Sequence, residues 1–415
     1  MNTKTVLSIA FALLSFAVCN AQTRILFDAT KAETAGNADW VIDADLHNLG
    51  FGNGPAVVGQ GSESNPQHFP TPAQSGVSAS TAEGFWKGGI SAWGIDLAKK
   101  GYVVETLPYN GAITYNNSSN AQDLSHYKVF IVCEPNIIFT STEKTAILHF
   151  VQNGGGLFMV SDHTISDRNN DGIDSPEIWN DLMTNNSVMV NPFGIAFDLA
   201  NISQTTSNVA NLPLDSLLHG PMGNVTEVMW SNGTTMTLNH TANASVTGIV
   251  YKTGSSATGS TNVMVAHSRF GAGKVAAIGD SSPCDDGTGD TGDNLYDGWI
   301  ADAGGNHEKL MINATIWLAT ATSNVGIGEL LPSNDVQLFP NPFSQQAQLS
   351  ISPDINIKNG SIVIMDMNGR IIRKLEVGSS HLNIIEKNGL TAGMYKYLII
   401  SEDKLVGKGK FVISD

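Results

Sequence analysis

Short apolar runs, most of them following or leading into helical stretches, set the pattern of residues 22–322. The runs 24–27, 102–106, 128–133, 157–160, 263–267 and 274–278 read as strands. Residues 94–100, 141–152 and 308–319 read as helices. In the second of these, Ala146, Ile147, Phe150 and Val151 recur at i, i+1, i+4 and i+5, which makes one buried stripe. Strands that are apolar throughout rather than alternating are covered on both faces. The pattern therefore predicts an α/β domain on a three-layer, open, mostly parallel sheet. Residues 201–262 depart from it. They are rich in Ser, Thr, Asn and Gly and read as a β-rich insertion rather than a separate domain.

Past a linker at 323–335, residues 336–415 show a different rhythm. Seven short alternating runs (336–339, 347–351, 361–365, 370–376, 381–385, 394–401 and 404–413) are punctuated by Asn359-Gly360, Asn368-Gly369 and Asn388-Gly389. They predict a small all-β sandwich. At the other end, residues 1–21 read as a secretory signal. Lys4 supplies the positive charge, 6–18 the apolar segment and Cys19-Asn20-Ala21 the small-residue cleavage site, with Gln22 as the new first residue. That apolar segment is too short to span a membrane comfortably, and no other run comes near the length required.

Composition narrows the function classes. The 415 residues are 41% hydrophobic and 14% charged, with a net charge of -16, so a broad basic surface for nucleic acid is excluded. The tail, 336–415, balances nine Lys/Arg against seven Asp/Glu, so the acidity belongs to the middle region, where cations would be drawn. Loss of Cys19 leaves Cys133 and Cys284, which is no disulfide framework. Two reduced thiols or a single bridge both remain open.

The candidate chemistry lies where the strands end. Asp28, Glu134, Asp162 with His163, and Asp280 with Ser281 and Ser282 each follow an apolar run. If those strands are parallel, the acids share one sheet edge, where ligands bind in open α/β folds. Such a cluster must be protonated or hold a cation, so Asp28, Glu134, Asp162, His163 and Asp280 are candidate catalytic residues, with a catalytic divalent metal as one way to neutralise them. Residues 167–177 match D-x-N-x-D-G, the first half of a calcium loop. Its ligands would be Asp167, Asn169, Asp171 and the carbonyl of Ile173, with Asp174 and Glu177 following. A second acidic loop offers Asp285, Asp286, Asp290 and Asp293 to a calcium ion. Ser91 reads as the cap of the helix that follows it. Trp86, Trp93, Trp179 and Trp299 read first as core or rim packing, with stacking on sugars as the alternative.

Two resemblances add expectations. The tail motifs 338–343 (LFPNPF), 365–370 (MDMNGR), 389–395 (GLTAGMY) and 408–412 (KGKFV) resemble the C-terminal sorting domain of the type IX secretion system of Bacteroidetes. The resemblance implies export across the outer membrane, with the secretion machinery as a partner, and then release or surface attachment. Residues 148–163 (LHFVQNGGGLFMVSDH), 270–280 (FGAGKVAAIGD) and 313–318 (NATIWL) resemble the class I glutamine-amidotransferase-like fold, flavodoxin-like in layout, in its ThuA-like branch. Where that family carries its nucleophilic cysteine, this chain has Ser161-Asp162-His163, so the resemblance implies the fold and not glutaminase activity. Together the readings point to a secreted or surface hydrolase, metal-assisted, acting on an extracellular polymer such as a polysaccharide. The alternative is a non-catalytic, calcium-stabilised surface protein that binds glycan or another ligand.

Overall fold

The computed structural model describes residues 22–35, 38–43, 74–289, 296–301, 304–320, 336–353, 355, 357–366, 371–401 and 404–414. The expected signal at 1–21, the linker at 323–335 and the candidate ligands Asp290 and Asp293 lie outside the described residues. The chain forms two compact units, Met1–Thr322 and Ser323–Asp415.

The first unit is organised by a nine-stranded mixed sheet. Its strands are β1 (Arg24–Asp28), β2 (Val103–Leu107), β3 (Val129–Cys133), β4 (Gly156–Val160), β5 (Ile195–Phe197), β10 (Met236–Leu238), β11 (Thr247–Tyr251), β12 (Val263–Phe270) and β13 (Gly273–Ile278). The short pairs β6 (Ile202–Thr206) with β9 (Val228–Gly233) and β7 (His219–Gly220) with β8 (Gly223–Asn224) lie apart from it. Neighbours in the order β2-β1-β3-β4-β13 run parallel. From β13 onward, β12, β11, β10 and β5 pair antiparallel. The expected sheet is therefore parallel only through its first five positions. The stretch read as an insertion, 201–262, also gives β10 and β11 to the main sheet.

The unbroken apolar character of the strands follows from burial on both faces. In β3, Val129, Ile131 and Cys133 join one apolar cluster, with Trp93 and Leu97 of α1 (Ser91–Lys99) and Leu310, Met311 and Leu318 of α5 (Asn306–Ala319). Phe130 and Val132, between them in sequence, join a second cluster with Ile147 and Val151 of α2 (Ser141–Gln152) and Ile178 and Trp179 of α3 (Ser175–Thr184). Each such side chain, taken fully out of water, stabilises the fold by about 2 kcal/mol before its ordering entropy is charged. A short helix, α4 (Gly298–Ala301), precedes α5. A capping box closes the start of α2, with Thr140 taking the Glu143 backbone N–H and Glu143 returning to the Thr140 N–H. Trp86, Trp93, Trp179 and Trp299 are all buried, so none of them offers a stacking face.

The second unit has seven strands: β14 (Val336–Phe339), β15 (Gln346–Ile351), β16 (Gly360–Met365), β17 (Ile371–Gly378), β18 (Leu382–Glu386), β19 (Gly393–Ser401) and β20 (Lys404–Ile413). They form antiparallel sheets ordered β14-β15-β18 and β17-β16-β19-β20. Both sheets feed a single apolar cluster, which includes Leu349, Ile364, Tyr397 and Phe411. In β15, Ala347, Leu349 and Ile351 point inward while Gln346, Gln348 and Ser350 face solvent, which is the period of two read from the sequence. Among the described residues no helix is long and apolar enough to cross a membrane.

Candidate functional site

Because β1, β3, β4 and β13 run the same way, the residues that follow them collect at one edge of the sheet. Glu134 follows β3, Asp162 and His163 follow β4, and Asp280 follows β13; all three carboxyls are buried. Glu134 has φ 48°, in the left-handed region that a residue with a Cβ avoids. Strain of this kind persists only where the surroundings enforce it, and it gathers at functional positions.

Arg168, from the loop between β4 and α3, gathers these acids. Its Nε donates to Glu134 Oε1, and its Nη2 lies 3.4 Å from Glu134 Oε2 and 3.6 Å from Asp162 Oδ2. Ser281 Oγ donates to Glu134 Oε2 at 2.8 Å. His163 Nδ1 sits 3.0 Å from Asp162 Oδ1. Asp280 accepts backbone N–H groups from Ser231 at 2.6 Å and Ser282 at 2.8 Å. Beside this group lies a cavity of about 260 Å³, lined among others by Asp162, His163, Arg168, Asn232, Ser282 and Tyr296.

Burial controls the protonation here. The Asp162 carboxyl is pushed well above its ordinary range by desolvation and then by the Glu134 charge, against the pull of Arg168. Asp280 is raised by burial and then by Asp162. His163 moves the other way, because desolvation of the imidazolium outweighs the attraction of Glu134 and Asp280. Burial thus favours the protonated form of Asp162 and the neutral form of His163 where the two meet on the cavity wall.

Of the other expected site residues that are described, Asp285 also lines the cavity and the rest are placed elsewhere. Asp28 ends β1 at the same edge but binds Thr30 through its backbone N–H and hydroxyl, each at 3.2 Å, and does not line the cavity. Burial pushes it up to about 6, against the pull of Lys31. Its neighbour Glu33 is raised by burial and then by Asp28. These two form a separate carboxyl pair.

In the Asp167 loop, Asp167 accepts the backbone N–H groups of Asp171 at 3.0 Å and Gly172 at 2.7 Å, and Asp171 Oδ1 accepts that of Ile173 at 3.0 Å. Gly172 takes φ 88°, the turn its place in the motif requires. Asn169 Nδ2 donates to the Asn136 carbonyl at 2.6 Å and to Asp171 Oδ2 at 3.0 Å, while its buried Oδ1 has no hydrogen-bond partner among the described residues. Asp174 and Glu177 form the capping box that starts α3, with Pro176 in its first turn. Asp174 also holds the N–H groups of Ile165 at 2.7 Å and Ser166 at 2.9 Å.

In the second acidic loop, Asp285 lines the cavity and accepts from Gly287 N at 2.9 Å and Tyr296 N at 2.6 Å, and burial pushes it up to about 7. Asp286 binds the start of α1 through Ala92 N and is pushed up to about 6 by burial. Among the described residues, no three His, Cys, Asp or Glu side chains stand close enough to form a metal site by themselves.

Sequence reasoning overlooked Arg168, Asn232, Ser231 and Tyr296. For Arg168 a signal was available: it is the sole Lys or Arg between Lys144 and Lys252, and it sits among acids. Asn232 and Tyr296 reach the cavity through tertiary structure and left no local pattern.

Residues 337–414 match the family described as "Secretion system C-terminal sorting domain". No curated protein matches the chain. Solved structures give distant likenesses. The mmIFT52 N-terminal domain is 15% identical with TM-score 0.38, over 56% of this chain and 91% of that one. The cytoplasmic protein STM3548 from Salmonella typhimurium is 11% identical with TM-score 0.37, over 71% and 98%. PorZ, a surface component of the type IX secretion system of Porphyromonas gingivalis, is 17% identical with TM-score 0.17, over 23% of this chain and 14% of PorZ. The chain thus ends in a type IX sorting domain, which engages that secretion machinery and directs the protein to the cell surface or the extracellular space.

Proposed function

We propose that the first unit is a hydrolase of an extracellular polymer, with polysaccharide as the substrate class, and that Asp162 and His163 are its acid and base. The observation that carries this reading is their pairing at 3.0 Å on the cavity wall, where burial favours the protonated form of the one and the neutral form of the other. Groups whose surroundings set their protonation in this way are the working parts of acid–base catalysis near neutral pH. In this scheme His163 takes the proton of an attacking water, Asp162 gives one to the leaving oxygen, and Arg168 steadies Glu134 and Asp162 as charge moves between them.

The fold part of the reading is a three-layer, flavodoxin-like and amidotransferase-like domain. Its support is the parallel order β2-β1-β3-β4-β13, equivalent to 2-1-3-4-5, with helices in the clusters on both faces and the acids at the carboxyl edge. A calcium ion at Asp167, Asn169, Asp171 and the Ile173 carbonyl belongs to the same reading, and the buried, unpartnered Oδ1 of Asn169 supports it. The metal would hold shut the loop that presents Arg168.

The test is release of new reducing ends from a panel of polysaccharides by the full chain, compared with His163→Gln and Asp162→Asn. Turnover that both substitutions abolish supports the hydrolase. Binding to the same polymers without turnover would favour a glycan-binding protein. That second reading draws on the saturation of Asp280 by two backbone N–H groups and of Glu134 by Arg168 and Ser281.

A further inference from the structure

The two cysteines among the described residues of the first unit, Cys133 and Cys284, are buried in one apolar cluster, and the acid–base scheme uses neither. Cys133 is the last residue of β3, and Cys284 closes the short helical turn Ser282–Cys284. Their exposures are 1% and 0%, and both belong to the same apolar cluster. The backbones that carry them are drawn together at this point. Glu134, the next residue after Cys133, takes the Ser281 hydroxyl at 2.8 Å, and the Cys284 N–H closes the turn onto the Ser281 carbonyl at 2.9 Å. The Cys284 thiol also approaches Met311 Sδ at 3.8 Å. Both are free thiols in the structure; burial raises the Cys133 thiol well above its ordinary range, and the adjoining Cys284 thiol is the next cause.

We propose that Cys133 and Cys284 are the two halves of a disulfide that forms as the exported chain folds, stapling the end of β3 to the Ser281–Asp285 turn. The oxidant is a disulfide-bearing compound or oxidoreductase met outside the cytoplasm. One cysteine, as thiolate, attacks the oxidant disulfide and expels one thiolate. The other then attacks the mixed disulfide and expels the second. Two S–H bonds and the oxidant S–S bond break, one S–S bond forms between Cys133 and Cys284, and both protons end on the oxidant's thiols. Two electrons pass to the oxidant. The exported destination supplies such conditions, whereas cytosolic chains keep their thiols reduced. An oxidant cannot reach sulfurs that are fully enclosed, so exchange precedes closure of this core. Once formed, the bridge is shielded from reductant. The inference does not depend on the proposed activity, because it concerns how the end of β3 is joined to the Ser281–Asp285 turn and not what the cavity does.

The experiment folds the full chain in a glutathione and glutathione-disulfide buffer, unfolds it in denaturant with an alkylating reagent, and determines the mass of the peptides containing Cys133 and Cys284. The expected result is that neither thiol is alkylated and that the two peptides are linked, lighter by two hydrogen atoms than the reduced pair. Thermal unfolding is the second measurement. Reductant applied under unfolding conditions should lower the melting temperature of the refolded chain, and the Cys133→Ala/Cys284→Ala double variant should melt at the same temperature with or without reductant. Full alkylation of both cysteines after oxidative folding would overturn the proposal, as would bridges only between chains. The double variant still separates the cases if reduced chain folds poorly, since it lacks both thiols of the proposed bridge.

Discussion

Asp286 accepts the backbone N–H of Ala92 at 2.5 Å across 194 residues of sequence, and in doing so supplies the cap that α1 does not find beside itself. The helix's own N-cap position, Ile90, has no side chain able to accept a hydrogen bond. Ser91, read from sequence as the cap, instead donates its hydroxyl to the Glu83 carbonyl at 2.6 Å. Asp286→Ala should therefore destabilise the first unit by about 1 kcal/mol, and Asp286→Asn should restore part of the loss. Chemical denaturation of the two variants alongside the parent checks this.

The relation between α1 and Asp286 also shows where the sequence was readable. Elements that carry their own signals were legible. The helix 141–152 agrees residue for residue with α2, and the runs 336–339 and 404–413 agree with β14 and β20. The convergence of Glu134, Asp162, His163 and Asp280 followed from strand direction alone. Legibility failed where one residue serves two patterns. Asp174 and Glu177 continue a calcium-loop motif, yet Asp-x-x-Glu with Pro176 is also a helix start, and α3 went unread for that reason. It failed again where the partner is remote, as with Arg168 and Glu134 or with the joining of β10 and β11 to the main sheet.

Arg168 is the countercharge of the buried acids. Arg168→Met should cost about 3–5 kcal/mol, because it leaves Glu134 and Asp162 buried with their principal cation removed. Adding Glu134→Gln to that variant should recover a large part of the loss. Arg168→Lys should fall between, since a single ammonium cannot reproduce a planar fork. Equilibrium unfolding of the three variants gives the comparison, and equal losses in Arg168→Met and in the double variant would show that the charge pairing is not what Arg168 contributes.

Burial raises several acids of the first unit, which sets the sign of its pH dependence. Asp28 sits at about 6 and Asp285 at about 7, against an ordinary 3.8. A group raised on folding binds its proton more tightly in the native state. Its contribution is full below about pH 4 and is lost as pH rises through 6 to 7. The first unit should melt at a higher temperature at pH 5 than at pH 8, each of the two groups accounting for on the order of 2 kcal/mol. Asp285→Asn should flatten the upper part of that dependence. Melting curves at a series of pH values test both statements.

Calcium at the Asp167 loop has a readout that does not involve activity. If the ion is held there, adding it to metal-free protein raises the melting temperature in proportion to the logarithm of its concentration above the dissociation constant. Asp167→Ala removes that dependence while Asp286→Ala keeps it. The loop carboxylates already hold backbone N–H groups, so Asp167→Ala should itself cost about 1 kcal/mol even without calcium. An unchanged melting temperature across calcium concentrations would leave Asp167 with that structural role alone.

The pH profile of turnover should report the environment of His163. As base it must be neutral, and desolvation depresses it below its ordinary 6.5 despite the nearby Glu134 and Asp280. The acidic limb of the rate profile should therefore have its midpoint below pH 6.5. Asp162 must keep its proton to act as acid, and burial together with Glu134 holds that proton to well above the usual carboxylate range, so the profile should also fall on the alkaline side. His163→Gln should lower turnover by about 10²–10⁴-fold and remove the acidic limb. Glu134→Gln discriminates further. Removing that charge takes away an attraction that raises His163 and a repulsion that raises Asp162, so both limbs should move to lower pH together. A parallel shift of this kind requires His163 and Asp162 to feel the same neighbour, as they do with Glu134 acting on both.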